Sequence, residues 1–177
     1  MTKKQMKERA LLLYSFAFMQ EGLRQRKILD EDNNPKYGLE NLDNFYDMKT
    51  ILIYKHLKRL RLSFAQPNVR QFFLRRITEN EEYISLECDP LLMGLIGLYF
   101  YIRFNKTKEF VLNISAEDIK EIFEYAKTET VISDDTINIS VKIITAIYPD
   151  EKGLVEFYKL TNRFPFNLLT ENKKKEQ

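Results

Sequence analysis

Apolar positions along this chain recur mostly at helical spacing, with alternation confined to short stretches. A first helix is predicted from Thr2 to Ile28, with Thr2 as its cap and Arg24, Arg26 and Lys27 at its negative end. Between Ala10 and Met19 apolar residues surround it, and Leu12, Leu13, Phe16 and Met19 leave little of it polar. It is therefore expected to be the central, most buried helix. Asp30–Asn41 holds Asn33-Asn34-Pro35 and Gly38 and reads as a loop. A second helix is expected from Leu42 or Asp43 to about Ser63. Tyr46, Thr50, Ile53, Leu57, Leu60 and Phe64 form its inward stripe, and Lys55, Lys58 and Arg59 project from roughly the opposite side. Pro67 opens a short helix to about Ile77.

The second half is more mixed. Tyr83, Ser85 and Glu87 alternate with Ile84 and Leu86, which predicts a short strand. Asp89-Pro90 is a cap followed by a first helical position, and Gly94 and Gly97 in that helix offer a face for close backbone approach. The β-prone run Tyr99–Phe104 leaves an alternative, a hairpin through Asn105–Lys108 into Phe110, Leu112 and Ile114. Ser115-x-x-Asp118 forms a capping box with Asp in place of Glu, stapled by Ile114 and Ile119. The helix it opens has Ile119, Ile122, Phe123 and Ala126 inside and Glu117, Glu121 and Glu124 outside. Thr136–Thr145 fits either period, and the helix stopped by Pro149 is preferred. Leu154–Leu160 closes the series, and Glu171–Gln177 is expected to be a disordered polar tail.

The fold class that follows is mainly α: one compact domain over residues 1–170, about six to seven helices, with at most a small β-hairpin. Hydrophobic content of 44% and charged content of 31% agree with a folded chain rather than a disordered one. One cysteine excludes an intrachain disulfide framework and makes a reducing compartment the default. Neither the apolar run Ala10–Met19 nor the uncharged run Pro90–Ile102 reaches the roughly 20 residues of a spanning helix. No signal-type cleavage site follows Met19, so a cytoplasmic protein with no membrane association is expected, or one inside a host cell if the gene is viral.

Charge adds what periodicity does not. The net is +2, yet Met48–Thr78 has no acid and eight Lys or Arg, whereas Glu79–Glu151 has fifteen acids against six bases. Such asymmetry builds a surface for polyanions, or two patches that meet within or between chains. Lys55, Lys58 and Arg59 share one helix face, and Arg70, Arg75 and Arg76 follow on the next helix; these six are the candidate nucleic-acid-binding residues. Helix, Pro-containing turn, helix and strand loosely fit a winged helix-turn-helix, although the turn Ser63–Asn68 lacks the usual Gly and Phe72, Phe73 and Leu74 crowd the second helix.

Candidate chemistry is sparse. His56 and Cys88 are single, too few for a zinc site and without a local nucleophile–base context. Neither GxxxxGK[ST], GxGxxG nor GxSxG occurs. No catalytic residue, metal or cofactor is expected. The leading expectation is a non-enzymatic nucleic-acid-associated factor that neutralises backbone phosphate through residues 49–76. The alternative is a protein–protein adaptor or assembly subunit using complementary basic and acidic patches, with an acidic partner or a homodimer.

Overall fold

A computed structural model of the chain describes residues 2–36, 45–61, 67–79, 89–105, 114–129, 140, 142–145 and 147–148. Six helices and no strand organise these residues, 82% of them helical. The fold is therefore mainly α. The helices are α1 (Lys3–Gln25), α2 (Phe45–Arg61), α3 (Pro67–Glu79), α4 (Pro90–Phe104), α5 (Ala116–Glu129) and α6 (described at 140, 142–145 and 147). No described helix is long and apolar enough to cross a membrane.

Local chemistry sets the helix starts. Thr2 Oγ1 accepts from Gln5 N at 3.2 Å, while Gln5 Oε1 accepts from Thr2 N at 2.9 Å. Two otherwise orphaned amides are thus satisfied reciprocally. At α5 the same device uses a shorter acid: Asp118 N donates to Ser115 Oγ at 3.1 Å, and Ser115 N to Asp118 Oδ2 at 3.2 Å. Asp89 Oδ1 accepts from Leu91 N at 3.0 Å, with Pro90 occupying the first helical position, where no amide is needed.

The centre is α1, which packs against α2, α3 and α4. Ala10, Leu11, Leu12, Tyr14, Ser15, Phe16 and Met19 are all buried, as expected for a helix apolar on nearly every side. Its closest partner is α4. Three glycines mark the crossing: Gly22 lies against Leu91, Gly94 against Met19 and Ser15, and Gly97 against Tyr14 and Ser15. As numbering falls along α1 it rises along α4, so the pair is antiparallel. Ser15 donates to Leu11 O at 2.9 Å, so the polar atom at the crossing is satisfied within its own helix.

Several expectations change. α1 ends at Gln25 rather than Ile28, because Lys27 turns into the left-handed region at φ 58° and redirects the chain. Leu29 then bridges Pro35 across a tight loop, in which Asp30 Oδ1 accepts from both Asp32 N and Asn34 N at 2.9 Å. The hairpin alternative fails in its first half: Tyr99–Phe104 is the end of α4. Tyr99 and Phe100 are buried there, and tertiary packing overrides their β preference. Glu124 is half-buried rather than on the outer face of α5, where Glu117 and Glu121 are exposed. The helical alternative for 136–145 holds over the described part of 140–147, with Ile143, Ile144 and Ile147 buried. The expected strand at 83–87, the helix at 154–160 and the tail at 171–177 lie outside the described residues.

Candidate interaction surface

Helix α2 buries one side and exposes the other. Ile51, Ile53, Tyr54 and Leu57 are at most 1% exposed, and Thr50 is buried beside them. Leu52, Lys55, His56 and Arg59 follow at offsets of three, four and seven and so share the outer stripe. Leu52 is 48% exposed, the one exposed large hydrophobic residue among those described. Lys55 and His56 are half-buried and Arg59 is exposed.

Neighbouring cations are already engaged. Lys58 Nζ donates to Asn34 Oδ1 at 2.6 Å and to Asn33 O at 3.1 Å. Tyr54 OH donates to the same Asn33 carbonyl at 2.7 Å, so α2 holds the 30–36 loop with two side chains. Burial pushes the Tyr54 phenol up to about 12, against the lowering effect of Arg61, and keeps it a donor. Lys49 Nζ bonds Asp118 Oδ1 at 3.0 Å, joining α2 to the first turn of α5. The Arg61 guanidinium lies 5.5 Å from the centroid of the Phe16 ring. At about 100° per residue, Lys49 and Lys58 fall on either side of the outer stripe. The stripe therefore runs between an edge carrying exposed Glu31 and Asp32 and an edge carrying exposed Glu117.

Of the six predicted site residues, Lys55 and Arg59 share the stripe and Lys58 is turned to the loop. Arg70 and Arg75 are exposed on α3. Arg76 belongs to α3, but its side chain lies outside the described residues. The principal packing of both α2 and α3 is on α1 rather than on each other, unlike the paired helices of a helix-turn-helix.

His56 carries no ligand-like company. Its Nε2 is buried with no hydrogen-bond partner among the described residues, and burial, then the Arg59 charge, holds its protonation below the usual histidine range. No group of three or more His, Cys, Asp or Glu side chains suited to a metal ion occurs among the described residues. Cys88 lies outside them. Sequence reasoning missed a different polar group: Glu8 is 5% exposed within α1, and the Tyr101 and Tyr148 phenols are raised first by burial and then by its charge. The only signal for it was an acid two positions before the apolar run that opens at Ala10.

Neither a protein-family model, a curated protein nor a solved structure matches this chain.

Proposed function

We propose that this chain is a non-enzymatic adaptor or assembly subunit, working in the cytoplasm, that docks an acidic protein surface on the outer stripe of α2. One observation carries the reading: Leu52 stands exposed in the same stripe as Lys55 and Arg59. An exposed apolar anchor beside cations is the composition of a protein interface, where apolar contact supplies affinity and charge supplies specificity. Backbone phosphate offers nothing for the leucine.

The second reading is a nucleic-acid-associated factor, favoured by exposed cations on two successive helices, Arg59 on α2 and Arg70 on α3. Against it, Lys49 and Lys58 already have oxygen partners, and acids edge the stripe.

Two fluorescence-anisotropy titrations separate these readings. One uses a helical peptide with leucine and glutamate on one face, the other a random-sequence DNA duplex. The expected result is peptide binding that weakens about tenfold in Leu52→Ser and again in the Lys55→Ala/Arg59→Ala double variant. Duplex binding that ignores Leu52→Ser, with a salt slope falling by about two in the double variant, would establish the second reading instead. Binding of neither probe by the folded protein rejects both.

A further inference from the structure

The sequence separates its charges by position, and the fold then sets the two signs side by side. Helix α2, acid-free from Met48 onward, lies against α5, from the acidic segment, and Lys49–Asp118 at 3.0 Å is the joint between them. That pair satisfies one cation and one anion. Beyond it, Lys55 and Arg59 stay on the outer stripe of α2, and Glu117 and Glu121 stay exposed on α5. No ion pair engages Lys55, Arg59 or Glu117 among the described residues.

We propose that the occupant of the α2 stripe is a second copy of this chain, whose α5 acidic face seats on Lys55 and Arg59 while its own stripe receives the first copy's α5 face. This rests on reading the stripe as a protein-docking surface. A twofold interface requires that patch i meet patch j and patch j meet patch i. One basic and one acidic patch on neighbouring helices meet that requirement, because a half-turn about an axis between them lays each on its complement. A net charge of only +2 leaves little long-range repulsion between copies. Leu52, at the N-terminal end of the stripe, gives the contact an apolar element that charge alone lacks.

Charge reversal tests the arrangement on the full chain. One variant carries Lys55→Glu and Arg59→Glu, making both patches acidic; another carries Glu117→Lys and Glu121→Lys, making both basic. Light scattering should give a dimer for the native chain in 50 mM salt, with association at least tenfold weaker in 500 mM. Each variant alone should be monomeric, and their equimolar mixture should restore a dimer, because both contacts regain opposite signs. Circular dichroism checks that the variants stay folded, and Leu52→Ser, which reverses no charge, should also weaken the dimer. A native monomer at every salt and concentration overturns the proposal, as do reversed variants that still dimerise alone or a mass that grows past the dimer. The peptide titration above reads the stripe without requiring a second copy, so a failed dimer and a failed docking surface give different results.

Discussion

Arg26 and Asp89 meet at 2.7 Å where α1 ends and α4 begins. Each side chain serves its own helix as well. Arg26 Nη1 donates to Gly22 O at 3.1 Å near the end of α1, and Asp89 Oδ1 caps α4. One ion pair thus links the positive end of one helix to the negative end of its antiparallel partner. Asp89→Ala should remove a cap and an ion pair together, lowering stability by about 2 kcal/mol. Urea midpoints for Asp89→Ala and Asp89→Asn check this, since Asn keeps a capping oxygen and should recover about half the loss.

Gly94→Ala opposes two effects. Alanine favours helix by about 1 kcal/mol. A methyl group at this site, however, would come within 2.9 Å of Met19 N and Ser15 O, which are backbone atoms of α1 that no side-chain rotation can move. Separating two packed helices should win, with a net loss of about 2 kcal/mol or more in denaturant unfolding. An increase in stability would contradict the antiparallel contact.

Acid should weaken the α2–α5 joint. Asp118 is held below its ordinary carboxyl range first by the bond from Lys49 and then by the Ser115 amide. Its folded value is the lower one, so its contribution is complete above about pH 4 and fades as pH falls through the folded value. Lys49→Met should therefore flatten the acid limb of a stability–pH curve and leave the region above pH 8 no steeper. Ser115→Ala keeps the backbone amide and removes only the weaker hydroxyl contribution, so it should reduce the same limb by a smaller amount.

Lys58→Met tests whether this cation belongs to the fold. Amide hydrogen exchange at Asp32 and Asn34 should speed up, because the side chain that ties the loop to α2 is gone. Global stability should fall by about 1 kcal/mol. Neither peptide nor duplex binding should change beyond twofold, in contrast to Lys55 and Arg59.

Helix boundaries were legible because caps are local. Ser115 with Asp118 and Asp89 with Pro90 are complete within four residues, and the structure uses both pairs as read. The burial of α1 and the closeness at Gly94 and Gly97 were also readable, from the circumference of one helix and from missing side chains. The fate of individual cations was not. Lys58 finds Asn34 across 24 residues and Lys49 finds Asp118 across 69, and no spacing rule within a helix encodes such meetings. Tyr99–Phe104 stayed open between helix and hairpin for a related reason: β-prone side chains become helical once α1 supplies the surface that covers them.

The antiparallel contact between α1 and α4 also orders events in time. α1 is synthesised before the helix it packs on most closely: the residues that lie against Met19 and Tyr14 are near positions 94 and 97. Until α4 has been made, Tyr14 and Met19 lack the glycine surfaces they lie against. Closure of this long interval costs loop entropy before the distant contacts return any stability. The nascent chain spends that interval with this side of α1 uncovered by α4, an apolar surface open to aggregation.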